Sequence, residues 1–200
     1  IAKTTWQFFE TYLNEKHNYL IPDNYQEGRK QKVVSRTSST NIGLSLLAVI
    51  SAYDLKFITL EHTVDLLKKI LDTIISLEKW NGHLYNWYDT KTKNPLIPRY
   101  ISTVDSGNFI GYLYTTKIFL QNLNSPELES YVQYIEKIII ETNFKLLYNK
   151  ENQIFSIGYN IEENKLTDSY YDLLASEARQ ASLIAIAKKD VPVKHWNKLS

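Results

Sequence analysis

Glu177 stands in the stretch "SYYDLLASEARQASLIAIAKK". If that stretch is helical from Tyr170 onward, a turn of about 100° per residue groups Glu177 with Tyr170, Leu173, Leu174, Ala181 and Ile184. Asp172, Ser176 and Arg179 then share the opposite side. A lone carboxyl on an apolar face is costly unless paired, hydrogen-bonded or protonated, and burial without a partner raises its pKa. A group of that kind suits a general acid that protonates the leaving oxygen of a glycosidic bond near neutral pH. The same position also reads as half of a structural ion pair with an Arg or Lys from a neighbouring helix.

The stretch "GHLYNWYDTKTKNPLIPRYISTVDSGN", residues 82–108, offers a second chemistry. It mixes Tyr85, Trp87, Tyr88 and Tyr100 with Asn86, Asp89, Arg99, Asp105 and Asn108, without a regular hydrophobic period. Sugars present apolar C–H faces, which Trp and Tyr rings cover, and hydroxyls, which Asp, Asn and Arg hold in charge-assisted hydrogen bonds. Long irregular connections usually carry function. The alternatives are a loop pinned to the domain by its own aromatics, and an Asp105 that only caps a helix. Elsewhere the chemistry is thin. His17, His62, His83 and His195 are scattered without metal-ligand spacing, Gly107 stands outside any phosphate-binding loop, and no serine sits in a nucleophile elbow. Lys68-Lys69 and Lys188-Lys189 read as solvated pairs. The residues call for neither a metal nor another cofactor.

The elements that must position these groups are helical. Residues 4–15 place Trp6, Phe9 and Leu13 on one stripe. Residues 20–36 are irregular and polar. Asn41 is the expected cap of an almost wholly apolar helix to about 54, and Thr59 the cap of an amphipathic one to about 80. That one carries Leu60, Val64, Leu67, Leu71 and Ile74, with Ile75 or Leu77. An apolar helix follows from about Asp105 to 122, and Ser125-Pro126-Glu127 opens an amphipathic one to about 144–148. Residues 149–168 read as hairpins, and Ser169 with Asp172 as a capping box for a last helix to about 188. Six helices, amphipathic alternating with apolar, predict an all-α domain with inner helices covered on every side and outer helices keeping one wet face. An α-solenoid would show a similar alternation, and the lack of a clear internal repeat counts against it.

Two hundred residues suffice for one domain with a real core. A net charge of +1 gives no field that favours nucleic acid or an anionic membrane. No cysteine is present, so disulfides and thiolate chemistry are excluded, which suits a reducing compartment. Neither a signal peptide nor an apolar run of membrane-spanning length is visible. The chain contains no methionine and begins in a helical pattern, which reads as a piece of something longer.

Four motifs occur in order: "RTSSTNIGLSLLA", "GHLYNWYDTKT", "PRYISTVDSGN" and "SYYDLLASEARQASLIAIAKKDVPVKHW". Together with the opening "TWQFFETYLNEKHNYLIPDNYQE", they resemble the glycoamylase-like domain of bacterial cyclic β-1,2-glucan synthases over essentially the whole chain. The resemblance implies an (α/α)6 toroid, of which residues 1–200 form roughly the first half. It implies action on β-1,2-glucan, by hydrolysis or by transglycosylation that closes a ring. It also implies a parent in which the remaining half of the domain, a glycosyltransferase and a phosphorylase-like region are the neighbours, on the cytoplasmic side of an inner membrane. Glu177 matches the glutamate of the family's "SEAR" motif, one of two catalytic carboxyls. Arg36, Asn41, Trp87, Tyr88, Asp89, Asp105, Asn108 and Tyr170 match motifs expected along the glucan cleft. Ser39 departs from the proline usual in "RTSST". The chain ends at Ser200, before the segment expected to supply the second carboxyl, so this piece alone is expected to be inactive. Which role Glu177 plays, nucleophile or acid/base, stays open. Two other classes compete: a non-catalytic glucan-binding module, which needs Trp87 but not Glu177, and an α-helical interaction scaffold.

Overall fold

The computed structural model describes residues 1–30 and 32–199. In chain order the elements are α1 (Ala2–Tyr12), β1 (Asn24–Tyr25), β2 (Val33–Val34), β3 (Arg36–Thr37), α2 (Ser39–Asp54), α3 (Leu60–Ser76), β4 (Tyr88–Asp89), β5 (Tyr100–Ser102) and α4 (Thr103–Asn122). Then come α5 (Glu129–Glu141), β6 (Tyr148–Asn149), β7 (Ile154–Ser156), β8 (Gly158–Asn160), β9 (Lys165–Leu166), β10 (Tyr170–Tyr171) and α6 (Arg179–Ala187).

The six expected helices are present, in two layers. The apolar helices α2, α4 and α6 lie side by side, with α1 and α3 packed on α2 and α5 packed on α4. Glycines set the inner contacts. A Cβ at Gly43 would come within 3.3 Å of the Phe109 Cα, and one at Gly107 within 2.5 Å of the Ala181 Cα. Gly111, one turn further along α4, meets Gln180 and Ile184. Along α2 and α4 the contacts advance together, from Thr40 with Asp105 and Asn108 to Tyr53 with Phe119, as they do along α4 and α6, so the three inner helices run parallel and start at one rim. This layering is the division into inner and outer helices expected from the alternation of apolar and amphipathic helices.

Caps explain the starts. The Ser38 Oγ accepts the Asn41 N–H at 3.2 Å, so α2 opens three residues before the expected Asn41 cap. Ser39 therefore occupies the first helical position, where proline is also well accommodated, and its hydroxyl donates to the Asn86 Oδ1 at 3.3 Å. Ser102 likewise caps α4, which moves Asp105 inside the first turn. Thr59 caps α3 as expected, through the His62 N–H. The buried stripe of α3 runs through Leu66, Leu67, Ile70, Leu71 and Ile74 to Leu77, while Leu60 and Ile75 face water. Pro126 opens a short 3-10 turn before α5, and α5 stops at Glu141.

Two expectations are corrected. The chain is not all-α: four small antiparallel sheets, β1-β2, β3-β4, β6-β7-β10 and β5-β8-β9, tie the connections together. The last helix also begins nine residues later than expected. Tyr170 and Tyr171 pair with Ser156 and Phe155 of β7, and the Ile157 N–H bonds the Ser169 carbonyl. A ladder to a strand fourteen residues upstream overrides the local helical period.

Candidate active site

The rim where α2, α4 and α6 start gathers most of the residues singled out above. Three aligned N-termini concentrate unpaired N–H groups and positive dipole ends there, which favours carboxylates. Asp105 uses that field: its Oδ1 accepts the Thr40 N–H in the first turn of α2 at 3.4 Å, and its Oδ2 accepts the Asn86 amide at 3.0 Å. Asn108 is nearly buried and donates to the Thr40 Oγ1 at 3.2 Å, so it ties α4 to α2. Its side chain serves the scaffold of the rim more than its surface.

Beside this lies a second cluster. The Arg36 guanidinium carbon stands 4.2 Å from the centre of the Trp87 ring, within cation–π range. Its Nη2 and Nε lie 3.3 and 3.4 Å from the Asp23 Oδ2, and the Asn41 amide donates to the Asp23 Oδ1 at 3.1 Å. Residues 23, 36, 41 and 87 thus come together from four separate segments.

Glu177 does not sit where helical periodicity places it. Residues 172–178 are irregular, α6 starts at Arg179, and Glu177 is exposed in a turn just before it. The apolar-face argument for a buried, uncharged Glu177 is therefore overturned. Among the described residues no cation bridges its carboxyl. Its position at the rim follows from the Gly107–Ala181 contact, which sets the start of α6 beside the start of α4. The charges of Asp105 and Glu177 both reach the Tyr112 and Tyr171 hydroxyls. Burial first, then Glu177, Tyr100 and Asp105, pushes the Tyr171 phenol up to about 12, so it remains an O–H donor at any ordinary pH.

Other expected contacts are corrected. Tyr88 is wholly buried: its hydroxyl donates to the Glu78 carbonyl at 2.6 Å and accepts the Tyr85 N–H at 3.0 Å. It packs the loop against the core and presents no face to a ligand. The Asp89 Oδ1 closes the turn that follows it, accepting the Lys91 and Thr92 N–H groups at 2.9 and 2.8 Å. Arg99 is held by Glu162 at 2.9 Å and lies 3.8 Å from Glu78. Tyr170 belongs to β10, where its hydroxyl accepts from the Asn149 amide on β6. Its neighbour Tyr171, on the alternate face of the strand, is the tyrosine that meets the acids. Sequence reasoning missed Tyr171 and Asp23. Two-residue alternation was the available signal for the first, and Asp23 gave none, since its partners come from later segments. The hollow of about 490 Å³ lined by Leu60, Val64, Lys68 and Leu128 contains none of these groups.

The rim thus offers one ring face, a fixed guanidinium, an anchored carboxylate, an exposed carboxyl and a phenol donor. That set matches a ligand with apolar faces and many hydroxyls.

The chain is 27% identical to part of the cyclic β-(1,2)-glucan synthase NdvB of Rhizobium meliloti (strain 1021), in an alignment covering the whole chain and 11% of that protein. No family model matches. The fold is similar to endo-β-1,2-glucanase from Chitinophaga pinensis, with a TM-score of 0.81 at 14% identity over 94% of this chain and 46% of that one. A β-1,2-glucanase from Parabacteroides distasonis gives 0.76 at 14% over 92% and 27%. The endo-β-1,2-glucanase of Talaromyces funiculosus in complex with β-1,2-glucan gives 0.64 at 10% over 100% and 51%. The chain resembles the glycoamylase-like domain of bacterial cyclic β-1,2-glucan synthases, and it spans about a tenth of the curated relative and half or less of two of these solved structures. No helix among the described residues is long and apolar enough to cross a membrane.

Proposed function

We propose that the chain is part of a carbohydrate-active domain that acts on β-1,2-glucan inside a larger, synthase-like protein, by hydrolysis or by cyclising transglycosylation. The observation that carries this reading is the convergence of Glu177, Asp105, Arg36 and Trp87 on the rim where three inner helices begin. In this reading Glu177 is one of two carboxyl groups that flank the scissile bond. Its partner comes from a part of the protein outside residues 1–200. A separation of about 5–5.5 Å between the two would make the reaction retaining, as transglycosylation requires, and about 6.5–9.5 Å would make it inverting. Trp87 and Arg36 hold a glucose unit, with Asp105 accepting from its hydroxyls and Tyr171 donating.

The exposed apolar side chains of the inner helices support the reading that more of the ring packs here. Leu44 on α2 and Leu55 just past its end, Tyr114 and Ile118 on α4, and Leu183 on α6 all face outward. Helices that are apolar nearly all round belong inside a larger core. We assign their cover to the remaining half of the toroid, which also encloses Glu177. The parent is membrane-associated in this reading, with this segment on the cytoplasmic side beside the glycosyltransferase and phosphorylase-like domains.

The test is Glu177→Gln in the intact parent. Turnover of linear β-1,2-glucan should fall about a thousandfold while glucan binding persists. An active variant refutes the catalytic assignment. One observation favours a second reading, a non-catalytic glucan-binding module: the Trp87–Arg36 platform is complete within this chain, whereas Glu177 is bare. Under that reading Glu177→Gln changes nothing and Trp87→Ala abolishes binding.

A further inference from the structure

We propose that Asp23 is the positioning residue of the rim, fixing the Arg36 guanidinium over Trp87 so that one nitrogen and the indole stay ready for a sugar. The sugar half of this proposal rests on the glucan reading above; the positioning half does not.

Asp23 lies in the irregular stretch before α2, yet it is held from both sides. Its N–H donates to the Arg36 carbonyl at 2.7 Å, which sets the main chains of the two residues side by side. Its carboxylate, only 17% exposed, then accepts from three segments: the Asn24 amide at 2.8 Å, the Arg36 Nε and Nη2, and the Asn41 amide in the first turn of α2. Arg36 is the mobile member. Its side chain is 44% exposed, and a long cationic side chain in water samples many rotamers. Two nitrogens on one edge turned to Asp23 fix the plane of the guanidinium, and its carbon stands over the indole. The third nitrogen, Nη1, has no acceptor among the described residues.

The consequence is preorganisation. A guanidinium already immobilised loses little freedom when a hydroxyl docks on it, so the ordering cost of binding falls on the ligand alone. Lysine in place of Arg36 would keep the charge but not the flat, two-pronged fit. Asp23 also orients Asn41, so one carboxylate sets two of the residues matched to the glucan cleft.

Two readouts on the chain test the proposal. Without ligand, the side-chain protons of Arg36 should show an upfield ring-current shift in NMR spectra. Asp23→Asn should collapse that shift; a shift that survives the substitution overturns the proposal. With sophorotriose, a β-1,2-linked glucose trisaccharide, calorimetry should give about tenfold weaker binding for Asp23→Asn, the loss expected for a charge-assisted hydrogen-bond set. Asp23→Asn combined with Arg36→Gln should bind no worse than Arg36→Gln alone. Additive losses would mean two independent contacts and overturn the positioning role. If Asp23→Asn does not fold, Arg36→Lys decides: it should weaken sophorotriose by a similar factor, and unchanged affinity refutes the proposal. If the unmodified chain ignores sophorotriose, the glucan reading fails for this segment, and the ligand-free shift alone judges Asp23.

Discussion

The two rims of the helical layers are built differently. At one, α2 passes to α3 through residues 55–59, and α4 to the turn before α5 through residues 123–125. At the other, residues 77–102 and 142–178 form long connections stitched by the small sheets. The plain rim holds Lys68 against Glu127, an exposed pair, and an apolar hollow. The elaborated rim holds the carboxyls, the Arg36–Trp87 stack and the Tyr171 phenol. It also receives the C-terminal ends of the outer helices α3 and α5, whose carbonyls take half-buried lysines. The Lys79 Nζ donates to the Ile74 and Leu77 carbonyls, and the Lys188 Nζ to the Ile139 and Ile140 carbonyls. Acids at inner N-termini and lysines at outer C-termini both satisfy the helix dipoles. The rim with charges on most of its helix ends is the one that gathers the groups able to do chemistry.

This contrast can be broken or sharpened by substitution. The largest effect is expected from Glu177→Gln in the intact parent, the thousandfold loss of turnover described above, with folding untouched because glutamine keeps the shape of the side chain and no ion pair holds Glu177 among the described residues.

His83 should give the next largest. It is buried between the Ser106 hydroxyl at 2.9 Å and the Asn143 carbonyl at 3.0 Å, and burial holds its pKa down at about 4. The unfolded chain binds a proton near pH 6.5, well before the folded one does. Stability conferred by neutral His83 is therefore complete above pH 6.5 and lost as pH falls towards 4. The loss should approach roughly 3 kcal/mol. Chemical denaturation at pH 7 and pH 4.5 measures it, and in His83→Gln the difference should shrink; an unchanged difference would point to other groups.

Gly107→Val tests the inner contact. A side chain there meets the Ala181 backbone, and overpacking of this kind costs roughly 2 kcal/mol, readable as a lowered melting temperature. A variant as stable as the parent would mean that α4 and α6 separate easily. Trp87→Ala should weaken β-1,2-glucan oligosaccharide binding roughly tenfold with little change in stability, since its ring is only partly covered. At the plain rim, Lys68→Ala should change stability by less than about 0.5 kcal/mol and binding not at all.

Much of the fold was legible locally. Apolar periodicity and the Thr59 cap fixed the helices because those signals are carried within a turn or two. The caps at Ser38 and Ser102 were overlooked because Asn41 and Asp105, three residues on, are equally good cap types. The errors at the site share one cause. Tyr170 and Tyr171 obey a strand partner, Tyr88 obeys the core, and Asp23 finds its ligands 13 and 18 residues downstream. None of these is a property of its own neighbourhood in sequence. Glu177 is singled out by its motif and misplaced by its period, since a helical wheel has no meaning for a residue outside the helix.

Gly43 and Gly107 bring the inner helices together main chain against main chain, or nearly so. The spacing of the three spokes is then gauged by backbone, which cannot be trimmed or enlarged by exchanging one aliphatic side chain for another. Drift in the hydrophobic interior can proceed around such a frame while the acids at its mouth keep their separation.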